Sequence, residues 1–297
     1  MAKLLPRYPI YIPSKGRPDR CLTAKFLCED DVPFYLVVEE QERDQYARVY
    51  GDKPGVTILV LPFRDRGTVV PARNWIRDHS RDGGHARHWQ LDDNIRHLKR
   101  WYRRKRIRCD AGIALSATED FTDRYKNVAV SGLMYDMFAV YDMPPFMLNV
   151  HVYSCTLTHN DTGHDWRGEI NEDTDYCLQV LADNWCTISM VAFLCVKMPT
   201  LVMKGGHTTQ FYKGDGRLRM ARSLERVWPG VVTTKRKFRR AQHSIRGSWR
   251  HFDTPLQFRD DYEQTDKANE YGMVLRKSPG REPKSVEVRK LLSEHGE

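Results

Sequence analysis

The chain has little that would hold it in a membrane or in an oxidising compartment. Its seven cysteines, at 21, 28, 109, 155, 177, 186 and 195, are an odd number without a C-x-x-C pair. That spacing fits neither a disulfide framework nor a zinc ribbon. The longest near-apolar stretch, Ile188 to Val196, is far too short to span a bilayer. The N-terminus, MAKLLPRYPIYIP, reaches prolines at once and lacks a signal-peptide apolar core. No Pro/Gly/Ser-rich linker divides the chain and nothing repeats within it. These absences predict a soluble protein without a membrane partner, staying in a reducing cytoplasm, with its thiols acting as small core residues.

Two stretches lack acid altogether. Residues 95–108 hold eight Lys/Arg and residues 231–250 hold seven, with no Asp or Glu in either. The net charge is +9, so the two stretches carry 8 + 7 = +15 and the rest of the chain −6. A slightly acidic body with two concentrated basic segments suits a protein that grips a polyanion. Trp101, Tyr102, Phe238 and Trp249 interleave the cations, and bases can stack on such rings. Two solvated basic faces are the plainer alternative. Candidate contacts to nucleic acid are Arg103, Arg104, Lys105 and Arg106 in the first segment and Lys235, Arg236 and Lys237 in the second.

With 297 residues, 40% hydrophobic and 29% charged, the chain is globular and can bury one sizeable core plus a small appendage. Its first half alternates strand-like and helix-like text: Tyr8–Ile12, Phe34–Val38, Val56–Leu61 and His88–Leu91 as strands, with helical segments near Cys21–Cys28, over EEQERDQYARVYG and over PARNWIRDHS. Such alternation predicts βαβ units, hence an α/β fold with a mixed, mainly parallel central sheet flanked by helices. Val128–Val130, Phe146–Tyr153 and Ile188–Val196 read as later strands, some antiparallel. The expected organisation is a main domain over residues 1–230 and a basic extension over 231–297 packing on it.

Ligands of open α/β sheets sit beyond the carboxyl ends of the strands, and the polar clusters fall there. Pro13-Ser14-Lys15-Gly16-Arg17 follows the first strand, Glu39-Glu40 the second, Arg64 to Gly67 the third, and Asp92-Asp93-Asn94 the fourth. Two carboxylates and a carboxamide at a strand end make an all-oxygen site suited to Mg²⁺ or Mn²⁺. An Asp-rich turn is the plainer reading of those three residues alone. Glu172-Asp173 open another helical run and read either as an acidic first turn, favoured by the helix dipole, or as a general base.

The order of these motifs resembles the GT-A nucleotide-sugar glycosyltransferases: a strand with a polar loop, Ala72-Arg73-Asn74 heading a helix, then a D-x-D-like element. The resemblance implies a divalent metal, Mn²⁺ or Mg²⁺, at Asp92, Asp93 and Asn94, with Asn standing where Asp is usual. It implies a base at Asp173 or, second, Glu172, corresponding to the x-E-D element of inverting enzymes. It also implies that His207, in Gly205-Gly206-His207, is a further metal ligand, and that Lys213 and Arg217 neutralise the leaving diphosphate. Pro13, Ser14, Lys15 and Arg17 would then hold the uridine of a UDP-sugar, with Arg73 beneath it and Asp92 at the donor. Narrower still, IYIPSKGRP, PARNW, LDDNI and the NEDTD helix resemble the phage TET-associated glycosyltransferases over residues 8–217. That likeness implies a phage-encoded enzyme moving a sugar from a UDP-sugar to 5-hydroxymethylcytosine in double-stranded DNA, its target nucleotide flipped out of the stack. Trp101, Tyr102 or Trp166 would stack on the base, while His151, His159 and His164 read as loop histidines. A protein, lipid or polysaccharide hydroxyl as acceptor fits the same acidic motifs. A non-catalytic basic module would leave them unexplained.

Overall fold

The structure, a computed structural model, describes residues 3–64, 67–140, 143–198, 216–237, 240–246 and 249–263, together with residue 267. Its elements are β1 (Ile10–Pro13), α1 (Leu22–Glu29), β2 (Phe34–Glu39), α2 (Arg43–Tyr50), β3 (Val56–Leu61), α3 (Val70–Asp82), β4 (Arg87–Leu91), β5 (Ile95–Tyr102), β6 (Lys105–Cys109), α4 (Ala111–Thr122), β7 (Val128–Tyr135), β8 (Phe146–Leu148), β9 (Cys155–His159), α5 (Glu172–Ala182), β10 (Cys186–Lys197), α6 (Gly216–Val227), β11 (Val232–Lys237) and β12 (Arg240–Ile245). Ten strands form one sheet in the order β3-β2-β1-β4-β9-β7-β10-β5-β6, with β8 also pairing β10. β3, β2, β1 and β4 run parallel, as short strands joined by helices must. β7 and β10 form a second parallel pair, and β9 lies antiparallel between the two groups. The result is the mixed α/β sheet flanked by helices that the sequence indicates.

Local chemistry explains most boundaries. Pro71 occupies the first turn of α3 and Gly83 closes it, the usual asymmetry of helix ends. β2 is buried on both faces between neighbouring strands, hence its nearly continuous apolar text. Asp110 caps α4 by accepting from the Ile113 amide. All seven cysteines are free and six of them are buried. Among the described residues, no helix is long and apolar enough to cross a membrane.

One region departs from the sequence expectation, and a second is one to which the sequence assigns no element. The stretch 146–153 is a strand only over Phe146–Leu148. It must leave the edge of β10 and cross to a position between β4 and β7. The crossing turns on left-handed residues, Asn149 (φ 54°) and Ser154 (φ 67°). The basic stretch 95–108 is a hairpin, β5–β6, continuing the main sheet. Only Ile95 and Leu98 of β5 are fully covered, and β6 is exposed until Cys109. Lysine and arginine along such a free edge discourage pairing with another chain.

Beyond α5, helix α6 and the β11–β12 hairpin form a small second layer. Leu224, Trp228, Val231, Val232, Ile245 and Phe252 pack there against Leu178 and Leu181 of α5. Residues 252–259 then return along the main body. The carbonyls of Phe252 and Thr254 accept from the Asn149 amide, Asn127 donates to the Pro255 carbonyl, and Phe258 bridges to Tyr125.

Candidate active site

The carboxyl ends of β1, β4 and β10 meet the first turn of α5, and the charged residues of the four segments interlock. Pro13 ends β1 opposite Val37, whose carbonyl takes the Ser14 amide. The Ser14 hydroxyl donates to Asp93 Oδ2 at 2.9 Å and lies 2.8 Å from the Tyr46 hydroxyl. Arg17 Nη1 closes on Asp93 Oδ1 at 2.6 Å. Asp93 thereby fixes the Ser14–Arg17 loop with both of its oxygens. Burial lifts its proton affinity above the ordinary aspartate range in spite of Arg17. Lys15 points the other way, to Glu39 Oε1 at 3.0 Å.

Asp92 faces a different set. Its Oδ2 is 2.6 Å from the Lys197 ammonium, which also donates to Ser154 Oγ at 2.7 Å. Its Oδ1 lies 3.6 Å from Arg73 Nη2. Burial alone would raise the Asp92 carboxyl, but Lys197 and Arg73 outweigh it and hold the group ionised below the usual range. Arg73 is the hub of the site. Its Nη2 reaches Glu172 Oε1 at 3.3 Å, its guanidinium lies 4.8 Å above the Trp166 ring, and its Nη1 donates to Gln90 Oε1 at 3.0 Å. Gln90 Nε2 in turn donates to His88 Nε2 at 2.7 Å, leaving His88 Nδ1 to donate to Asn160 Oδ1 at 2.5 Å. Burial pushes His88 down to about 4, so this chain stays neutral and anchors Arg73 from beneath.

Glu172 and Asp173, adjacent at the start of α5, diverge. Glu172 turns inward to Arg73, and burial, reinforced by the neighbouring Asp173 charge, raises its proton affinity against the pull of Arg73. Asp173 turns outward. Its Oδ2 is 3.4 Å from His151 Nε2 and its Oδ1 accepts from the Thr174 amide. Burial opposes ionisation of Asp173, but His151 and Arg73 together prevail and hold it far below the ordinary range. The His151 ring is stacked between Tyr153 at 4.7 Å and Trp249 at 6.0 Å, and the Thr174 hydroxyl lies 3.3 Å from His151 Nε2 and 3.4 Å from His243 Nε2 of β12. Asp175, the third acid of this turn, is structural: Arg167, Gln179 and the Trp228 indole enclose it.

The sequence-derived residues are therefore only partly assembled in one place. Ser14, Arg17, Arg73, Asp92, Asp93, Glu172 and Asp173 converge. Arg217 lies in the first turn of α6, three residues before Met220, whose carbonyl accepts from the Asn171 amide beside Glu172. His207 and Lys213 lie outside the described residues. Arg103 and Arg104 form the β5–β6 turn, with Lys105 and Arg106 following on β6 opposite Tyr102 and Trp101, and Lys235, Arg236 and Lys237 run along β11. Trp166 is buried against Tyr176, rings 4.3 Å apart, and so is a core residue rather than a platform for a base. His159 and His164 are likewise engaged locally, with Trp185 and Asp183. Sequence reasoning missed Lys197 and undervalued His151. Lys197 ends an apolar strand, so the strand-end rule applied to the first four strands would have found it.

The donor set falls short of what the divalent cation implied by the sequence requires. Asn94 Oδ1 is buried without a hydrogen-bond partner, a carbonyl that such an ion could use. One carbonyl is no coordination shell. Both Asp93 oxygens are committed to Ser14 and Arg17, and an ammonium already sits on Asp92. Among the described residues, no group of three or more His, Cys, Asp or Glu could hold a metal ion. As arranged, these residues do not fit a divalent cation.

Polar loops at strand ends with an acid-headed helix beside them are the features on which the sequence resembles the GT-A glycosyltransferases. Residues 8–206 match the TET-associated glycosyltransferase family, and the chain belongs to it. No curated protein sequence matches the chain. Among solved structures it is similar to the glycosyltransferase GlyE of Streptococcus pneumoniae, with 14% identity over 59% of this chain and 37% of GlyE and a TM-score of 0.32. It is also similar to mannose-1-phosphate geranyltransferase from Thermus thermophilus, with 12% identity over 57% of this chain and 52% of that one and a TM-score of 0.31. The chain thus spans about a third to a half of the length of these two proteins.

Proposed function

We propose that this glycosyltransferase moves a sugar from a UDP-sugar to the hydroxymethyl group of 5-hydroxymethylcytosine in double-stranded DNA. The observation that carries the acceptor is the approach of the cationic β11–β12 hairpin, with its Trp249 turn, to the acid-bearing end of α5. A phosphate backbone held along that hairpin brings an extruded base to Asp173. The UDP moiety lies on the other side, along Ser14, Lys15 and Arg17, with its diphosphate toward Arg73 and Arg217. The resemblance to phage enzymes supports the cytoplasm of an infected host as the place of action.

Geometry chooses between the two acids before proton affinity does. Glu172 faces Arg73 and the proposed donor side, whereas Asp173 faces His151, which stacks on Trp249. Asp173 takes the proton of the acceptor hydroxyl as the oxygen bonds to the anomeric carbon. The bond from that carbon to the diphosphate breaks, and UDP leaves with the electron pair. Arg73, fixed by Gln90 and Trp166, offsets charge on the departing diphosphate without reorganising. His151 orients Asp173 and keeps it ionised.

The test is incorporation of labelled sugar from UDP-sugars into duplexes containing cytosine or 5-hydroxymethylcytosine. Label on the hydroxymethylated duplex alone is the expected result. Hydrolysis of the donor without DNA labelling overturns the acceptor and leaves a protein, lipid or polysaccharide hydroxyl in its place.

A further inference from the structure

A cation is already built into the site at the carboxylate where a divalent metal is expected. Lys197 is the last residue of β10, opposite Ile95 at a bulge in the pairing with β5. Its backbone is pinned on both sides: the Tyr135 hydroxyl donates to the Lys197 carbonyl at 3.1 Å, and the next amide, of Met198, donates to the Asn94 carbonyl at 3.0 Å. The side chain is only 15% exposed, and its ammonium bonds Asp92 and Ser154. An ammonium carries three N–H donors. Two of them are used, and among the described residues the third has no protein partner.

We propose that the Lys197 ammonium, carried by Asp92 and Ser154 and acting with Arg73, takes the donor's diphosphate in place of a divalent cation. The proposal rests on the reading of the donor as a UDP-sugar. A metal ion on Asp92 Oδ2 would have to displace an ammonium at 2.6 Å and then share one carboxylate with it and with Arg73. Three cationic groups around one carboxylate repel one another more than that carboxylate can offset. With Lys197 in place, Asp92 acts as its holder: it keeps the lysine charged, extended and close to the strand end. Among the described residues the third N–H then remains for a phosphate oxygen, and the Arg73 guanidinium, held by Gln90, Asp92 and Glu172, adds its fixed charge beside it where charge builds as UDP leaves. Arg and Lys differ here in a way that can be tested. A guanidinium at position 197 preserves the charge but is planar and bulkier, so it should preserve only part of the binding.

The experiment is calorimetric titration of the full chain with UDP, in EDTA and in Mn²⁺, for the native protein, Lys197→Met and Lys197→Arg. Native affinity in EDTA is expected to stay within about threefold of that in Mn²⁺. Lys197→Met is expected to lose about tenfold or more in EDTA, as removal of a charged hydrogen-bonding group predicts. It should regain affinity when Mn²⁺ can enter the vacated place, while Lys197→Arg falls between the two. The native arms decide the matter whether or not the variants fold. UDP binding by the native protein only with Mn²⁺ overturns the Lys197 assignment and leaves the UDP-sugar reading standing. No UDP binding under either condition overturns both.

Discussion

The two basic segments look alike as text, but the fold uses them differently. The first, β5–β6, starts at the site and runs away from it. Ile95 pairs with Lys197 and Arg100 with Phe193, so Tyr102 is seven residues along the strand, about 23 Å from the strand end. Several of its cations are engaged by the protein itself: Arg106 and Lys99 with Asp136, and Arg108 with Asp30. The second, β11–β12, belongs to a separate small sheet that rests on α5, and its His243 and the following Trp249 touch Thr174 and His151. Similar runs of positive charge thus mean a remote edge in one case and the border of the candidate acid in the other. Charge alone does not separate the two segments, whereas topology decides which charges lie beside the candidate acid.

The sharpest contrast is expected in catalysis. Asp173→Asn should lower turnover by about 10²–10⁴-fold, the usual contribution of a positioned base, with DNA and UDP binding retained. His151→Phe sharpens this through pH. His151 helps hold the Asp173 pKa below the ordinary range against burial, so removing it raises that pKa. The acid limb of kcat/KM should therefore move to higher pH, whereas in the native protein Asp173 stays ionised well below neutrality. An unmoved limb would separate His151 from the base. No change on the first hairpin, Tyr102→Ala included, should alter this profile.

Next in size is stability. Trp228 is fully buried between α6 and α5 and donates its indole N–H to Asp175 at 2.7 Å. Trp228→Ala should cost about 3–5 kcal/mol and loosen the second hairpin from α5, seen as a lower denaturant midpoint together with lost transfer. Tyr102→Ala, at a half-exposed position, should cost about 0.5 kcal/mol or less. Similar losses from both would mean that the second layer is not held through Trp228.

Much of this was legible in the residues. The first three βαβ units announce themselves because each strand is an apolar run closed by turn chemistry, and Val56–Leu61 has the predicted bounds. The strand-end polar loops and the acid-headed α5 follow from the same pattern. The basic strands were not legible, because an edge hairpin buries so few side chains that its charges hide the period of two. Nor were the contacts that separate Asp92 from Asp93, or Asp173 from Glu172. Neighbours in sequence face opposite partners, and only the crossing of 149–154 and the end of β10 bring His151 and Lys197 to them. Long-range pairing of that kind leaves no local signature.

Charge removal on the two hairpins should separate them further. Each lost phosphate contact reduces the slope of log K against log salt by about 0.9. Lys235→Ala with Arg236→Ala should flatten the slope by up to about 1.8 and lower kcat as well, as the proposed acceptor requires of phosphate contacts that position the target nucleotide. Arg103→Ala with Arg104→Ala should flatten the slope by a comparable amount at most, with kcat unchanged once DNA saturates. Equal loss of kcat from both pairs would erase the distinction between the hairpins.

The smallest effect tests why arginines occupy the β5–β6 turn. Arg103 and Arg104 both adopt positive φ, 47° and 63°, in a two-residue hairpin where Asn-Gly is the favoured pair. A left-handed conformation costs a non-glycine residue about 1–2 kcal/mol, and the contact of Arg103 with the Tyr102 ring at 5.1 Å is too exposed to offset that cost at its own position. Replacing Arg103→Asn and Arg104→Gly should therefore raise stability by up to about 1 kcal/mol, the relief of strain being partly offset by the freer unfolded glycine, as measured by chemical denaturation. The same variant should lose salt-dependent DNA affinity, because two cations leave an exposed tip. Strain retained at a place where local sequence could easily relieve it points to a use for the charges. A variant that is more stable and binds DNA with an unchanged salt slope would show that the tip lies off the DNA path and that the second hairpin alone carries the contact.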